Sequence, residues 1–289
     1  MSTKRLVVNA DDLGLAESVN RGIIESVVDG VVTSTSLIVN MPACDDAIAR
    51  LRSAPAHLSV GLHINVVCGR PLTPCATLLE PSGCFRPLAV LIGLALLGRL
   101  DVQEVEHEVE AQFDRAEELL APLGRRVTHL DSHRHTHCLP GVYEMVLRVA
   151  DRRGIRHVRH PYESSQPIPR LRARVASHIL RAMTWRNRPI DDVAFAGVGA
   201  MRSMSFENDV LMLLDALPSG TTELMVHPGY DSPELAAIDS YRAPRERELR
   251  ALTSTALRER IRHLGVHLTS FGATAPTEAP ATAPAAEAS

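Results

Sequence analysis

The sequence predicts an α/β fold built on parallel strands, in a sheet either open or closed into a TIM-like barrel, and two observations predict it. Short runs rich in Val, Leu and Ile alternate with longer stretches of helical periodicity along the chain. The residues best suited to chemistry (Asp11, Asp12, His63, His133 and His227) each fall where one of those runs ends. Parallel α/β folds gather reactive groups at the carboxyl ends of their strands, so this shared placement supports both the fold and a site.

Taken in order, residues 5–9 (Arg-Leu-Val-Val-Asn) read as the first strand, followed by a helical pattern at 18–29. A second strand at 35–39 precedes a helix at 45–52, and a third run occupies 58–65. A long connection containing Pro and Gly leads to a helix over 102–120. Residues 127–131 then lead into a helix near 142–153, and 155–159 is again strand-like. Near the end, a strand at 223–226 precedes a charged helix at 244–264, and 267–271 closes the fold. No internal repeat is present. From 272 to 289 the chain turns to Ala, Pro, Thr and Glu, which cannot build a core. The expectation is one barrel domain over 1–271 and a disordered tail over 272–289.

Composition narrows the function classes. At 289 residues the chain can bury a substantial core. A net charge of -3 and 3% aromatic residues leave no electrostatic or stacking case for nucleic acid. Five Cys, odd in number and without a CxxC pair, fit reduced thiols better than a disulfide framework. The first strand begins within five residues of the N-terminus, leaving no room for a signal peptide. The longest apolar stretch, 88–97, is too short to span a bilayer. A soluble, cytoplasmic protein is expected.

Two adjacent carboxylates closing an apolar strand, in Ala10-Asp11-Asp12, make a poor core, because buried together they repel. A cation resolves this: one carboxylate binds it while the other stays free as a base. Matching nitrogen donors stand at two later strand ends, His63 in Gly61-Leu-His63 and His133 in Asp131-Ser-His133. Two His and one Asp from three strand ends suit a metal site with open positions, hence a hydrolase. In Asp131-Ser-His-Arg-His-Thr-His137 three His alternate. Read as an extended segment, the alternation puts them on one face, with His135 and His137 as supporting or substrate contacts and Asp131 orienting an imidazole. His227, before a Pro-Gly turn, suits a general acid for a leaving amine. Arg247 is placed to pair with Asp11 and hold it ionised. Each residue alone also has an ordinary reading, as a turn, a cap, a core histidine or a solvated charge.

Together, Asn9-Ala-Asp-Asp-Leu-Gly14, Thr33-Ser-Thr-Ser36, Gly61-Leu-His63, Asp131-Ser-His133 and His227-Pro-Gly229 resemble the YdjC-like carbohydrate deacetylases, over roughly residues 4–271. The resemblance implies an irregular (β/α) barrel and one divalent metal ion, zinc or magnesium, on Asp12, His63 and His133. It further implies Asp11 as base, His227 as acid, an N-acetylated sugar as substrate, and a homodimer. In detail the chain looks most similar to the hopanoid-biosynthesis-associated branch, whose substrate is an N-acetylglucosaminyl hopanoid. The greasy stretch 88–97 then reads as a lid, a lipid contact or core, and the basic stretch 170–188, with Trp185, as a membrane-surface contact. Two other readings stay open. One is a barrel metallohydrolase of phosphoesters or cyclic amides, although the single Lys, Lys4, sits at the wrong end of its strand for a carbamylated bridge. The other is a non-catalytic sugar-binding module.

Overall fold

A computed structural model describes residues 3–163, 171–184 and 189–273. The first half alternates as expected, with strands β1 (Lys4–Leu13), β2 (Ser34–Leu37) and β3 (Ser59–Ile64) and helices α1 (Glu17–Val28) and α2 (Cys44–Leu51). Next come α3 (Leu88–Leu96), α4 (Val102–Leu120), β4 (Val127–Ser132), α5 (Val142–Arg153) and α6 (Leu171–Thr184). The rest comprises β5 (Ala194–Ala196), α7 (Phe206–Asp215), β6 (Gly220–Val226), α8 (Pro233–Ile238), α9 (Ala243–Leu252), α10 (Thr255–His263) and β7 (His267–Leu268).

The strands are parallel throughout, in the order β4-β3-β2-β1-β6-β5, with β7 joined to β1. The sheet curls into a half-barrel. The last eight residues of β1 are buried without interruption, as befits a parallel strand covered on both faces. Curling brings side chains from β1, β4 and β6 together inside, and that interior is polar at its carboxyl end.

Some elements depart from the sequence reading. Residues 155–159 form no full strand but meet β4 through one parallel bridge, Leu130 to Val158. Two bonds fix it: Leu130 N–H donates to His157 O (3.0 Å), and Arg159 N–H to Leu130 O (2.9 Å). The charged helix expected over 244–264 is two helices, because Ser254 leaves the helix and its hydroxyl caps α10 on Leu257 N–H. Helix α1 begins at Glu17 with no side-chain cap, and Ser18 in its first turn meets the Ser232 hydroxyl at 3.0 Å.

The greasy stretch is α3, anchored by buried Leu91 and Ala95, while Val90, Leu96 and Leu97 are exposed. The five cysteines are free. A 3-10 turn, Phe271–Ala273, ends the described chain, so the expected tail from 274 onward lies outside the described residues, as do Trp185 and Arg170.

Candidate active site

At the end of β1 the backbone of Asp12 takes a left-handed conformation, φ 74°, which few residues other than Gly or Asn adopt. The register of β1 against β2 shifts between Ala10 and Leu13 at the same place. This irregularity lets two consecutive residues of a strand both serve the interior, where simple alternation would send one outward. Asp11 and Asp12 are 2% and 1% exposed.

The Asp12 Oδ1 atom meets two imidazoles, His133 Nδ1 at 2.7 Å and His63 Nε2 at 3.2 Å. The three residues form a buried cluster whose donor atoms lie within 4.8 Å of one another. His63 Nδ1 pairs with Asp131 Oδ1 at 2.7 Å, a carboxylate placed to fix the tautomer of the ring and leave its other nitrogen as a donor toward Asp12. With an Asp oxygen, an oriented His63 Nε2, and His133, whose Nε2 is buried without a partner, the donor set fits a divalent cation. Without one, burial opposes the imidazolium forms, but Asp131 and Asp12 outweigh it at His63, pushing its pKa up to about 10. Asp12 does the same at His133, up to about 9. The Asp12 carboxyl is held well below the usual range: burial would raise it, and His133 and Arg245 more than offset that.

Asp11 has other partners. The sequence reading paired it with Arg247, but its partner is Arg159, a fully buried guanidinium. Arg159 Nη1 and Nη2 donate to Asp11 Oδ2 and Oδ1 at 2.6 and 2.7 Å, a bidentate pair, and Asn9 Nδ2 adds a bond to Oδ1 at 2.9 Å. Arg159 also binds Asp131 Oδ2 and Glu223 Oε1, each at 2.7 Å. Burial raises the Asp131 and Glu223 carboxyls, and Arg159 overrides it; Glu223 ends at about 2. Asp11, His63 and Asp131 also lie close enough to hold a cation, but a guanidinium already bridges the two carboxylates.

Arg247 lies elsewhere. Its Nε donates to Ser203 O (3.1 Å), and its side chain lines a surface cleft of about 480 Å³ beside Met204 and Arg250. The helix that carries it turns Arg245 inward instead, Nη2 reaching Asp12 Oδ2 at 2.7 Å.

His227, at the end of β6, puts Nε2 3.8 Å from Asp11 Oδ2. Its backbone N–H donates to Glu248 Oε2 (2.5 Å), and Glu248 also accepts the Tyr241 hydroxyl. Residues 133–138 form a 3-10 turn with left-handed Arg134 and His135, rather than an extended segment, so the three histidines do not share a face. His137 turns inward: Nε2 donates to Arg159 O (2.9 Å), and Nδ1 faces the Ser132 hydroxyl, which leaves neither nitrogen for a substrate. His135 is half-buried, with Nδ1 unpartnered, against Phe195. Asp131 is fully buried and orients His63, so it touches no substrate directly.

The sequence reading missed Arg159 and Arg245. The rule that singled out the other strand ends would have found Arg159, since residues 155–159 end on it. No comparable signal marks Arg245.

A parallel half-barrel with a buried Asp-His-His cluster at its strand ends, flanked by a second carboxylate and a third histidine, defines an α/β barrel protein of hydrolase type. The comparisons make this specific. The profile of the family described as "YdjC-like protein" matches residues 5–263, and the chain belongs to that family. It is 33% identical over 272 residues to the chitooligosaccharide deacetylase of Yersinia enterocolitica, covering 93% of this chain and 98% of that one. It is 34% identical to the carbohydrate deacetylase of Geobacillus stearothermophilus (92% and 96% covered) and 33% identical to that of Mus musculus (91% and 93%). Among solved structures, an Enterococcus faecalis protein named for cellobiose-phosphate cleavage superposes with a TM-score of 0.76 at 24% identity, over 95% of this chain and all of that one. That likeness concerns the fold.

Proposed function

We propose that the protein is a metal-dependent carbohydrate deacetylase, which hydrolyses the N-acetyl amide of an N-acetylglucosamine-type sugar and releases acetate. The observation that carries this is the pairing of two functions at one strand end. Asp12 joins His63 and His133, while Asp11 lies outside that cluster against His227. The names of relatives a third identical over nearly the whole chain agree with it.

Asp12, His63 and His133 would hold one divalent cation, zinc or magnesium. Such an ion, when bound, polarises the acetyl oxygen and draws the pKa of water from about 15.7 toward about 7. The protein supplies the proton traffic. Asp11 Oδ1 already accepts two hydrogen bonds and Oδ2 one. The open lone pair of Oδ2 is therefore the basic position, and it takes the proton of the attacking water. His227 Nε2, 3.8 Å away, delivers a proton to the departing sugar amine. Glu248 fixes the backbone that carries that imidazole.

The finer reading is that the substrate is an N-acetylglucosaminyl hopanoid or similar glycolipid, handled by a cytoplasmic homodimer. Among the described residues no helix is long and apolar enough to cross a membrane.

Acetate release from chitobiose and from a lipid-linked N-acetylglucosamine, with added metal and with chelator, tests the function. Release that chelator stops and metal restores is expected; none from either substrate with metal bound would overturn it. Asp11→Asn should keep the cation and lose at least about 10²-fold in rate. Full activity in that variant would remove Asp11 from the role of base.

A further inference from the structure

Helix α6 (Leu-Arg-Ala-Arg-Val-Ala-Ser-His-Ile-Leu-Arg-Ala-Met-Thr) carries three Arg, one His and no acid, in a chain whose net charge is negative. Two polar side chains fix its inner side. The buried Ser177 hydroxyl accepts the Glu163 N–H (3.0 Å), and the buried Thr184 hydroxyl meets His160 Nε2 (2.9 Å). These two residues, seven apart, share a stripe facing the protein. The opposite stripe is apolar and faces water: Leu171, Val175 and Ile179 are 77%, 50% and 50% exposed, at i, i+4 and i+8. Arg174, His178 and Arg181 flank it, also exposed. An apolar stripe left facing water is the reverse of what burial favours, and it marks a contact surface.

We propose that α6 docks this protein onto an anionic lipid surface. Charge selects the occupant. A twofold dimer through this face would set the same arginines against one another. An amphipathic helix whose apolar stripe is edged by cations suits the boundary between acyl chains and anionic headgroups. Position adds a consequence. α6 packs on the 3-10 turn His133–Cys138, so docking brings the rim of the site to the membrane, where a lipid-linked sugar presents its acetyl group. That consequence rests on the glycolipid reading above, while the docking itself stands on α6 alone.

The test is co-sedimentation of the full-length protein with phosphatidylcholine vesicles, with and without phosphatidylglycerol. Binding should require phosphatidylglycerol and weaken as salt rises. Arg174→Ala should lower the partition constant about fivefold. Val175→Glu/Ile179→Glu should abolish binding while leaving the thermal midpoint and any acetate release from soluble chitobiose unchanged. Failure to bind, equal binding to neutral vesicles, or binding untouched by these variants would overturn the proposal. So would a dimer in solution that the double glutamate variant dissociates, which would assign the face to a second copy. None of these readouts depends on turnover, so failure of the deacetylase reading would be seen separately.

Discussion

Arg159 holds three carboxylates from three strands, Asp11 of β1, Asp131 of β4 and Glu223 of β6, and nothing else described in the interior could neutralise them together. Removing one partner of such a buried set leaves charge without compensation. Arg159→Ala should therefore lose about 3–5 kcal/mol of stability in denaturant titration. Arg247→Ala loses one half-buried bond to Ser203 O away from the Asp11 cluster and should cost no more than about 1 kcal/mol, with acetate release intact. Equal losses in the two variants would contradict the assignment. The imidazoles give a second prediction at this scale. With pKa values raised to about 10 and about 9, His63 and His133 are both protonated at neutral pH in the metal-free protein, and a cation must displace those protons. Calorimetry in buffers of different ionisation enthalpy should show roughly two protons released per cation at pH 7, and fewer as the pH approaches 10. Release that does not vary with pH would show that the cation binds other groups.

Gly61 of β3 and His129 of β4 meet across adjacent strands, and here an element constrains a residue. A Cβ on Gly61 would fall 2.4–2.5 Å from three atoms of the His129 ring. The ring has nowhere to go: Ser36 Oγ holds Nε2 at 3.1 Å, Thr128 Oγ1 holds Nδ1 at 2.9 Å, and Phe271 lies 4.2 Å away. Gly61→Ala should cost about 1–3 kcal/mol and lower the thermal midpoint, and Gly61→Ala/His129→Ala should recover part of it. If Gly61→Ala melts like the parent, the strands are not so tightly registered. Elements also decide what the sequence could reveal. Strand ends were legible because a reactive residue after an apolar run stands out, so Asp11, Asp12, His63, His133 and His227, which the structure places close together, could be singled out in the sequence. The turn at 133–138 was not, since alternating His reads the same in a strand or a 3-10 turn. Left-handed Arg134 and His135 leave no mark in composition. Arg245 and Arg247 lie two apart in a helix rich in Arg, and only the packing of α9 against α1 and α7 decides which one turns inward.

The molecule as a whole carries buried histidines of two opposite kinds, and their balance sets its response to pH. His129 and His137 are buried as neutral rings: burial dominates and depresses their pKa values to about 3 and about 4. Between those values and about 6.5 the unfolded chain takes up protons that the folded one refuses, so stability falls as pH drops through that window. His157 is the opposite case. Burial opposes its charge, but Asp191 and Glu223 outweigh burial and raise it to about 9. Its contribution is complete below about 6.5 and is lost as pH rises toward 9, and His63 and His133 behave likewise without metal. Glu223, depressed to about 2, adds to the acid limb only between about 4.5 and 2. The metal-free protein should therefore be most stable near pH 6.5, declining on both sides in thermal scans. A cation held as proposed by Asp12, His63 and His133 would take over their pairing without the imidazole protons. Adding metal should then lift the alkaline limb and leave the acid one, with the maximum moving to higher pH. A metal-induced gain of equal size at pH 5 and pH 9 would mean that the cation is held by groups other than these two histidines.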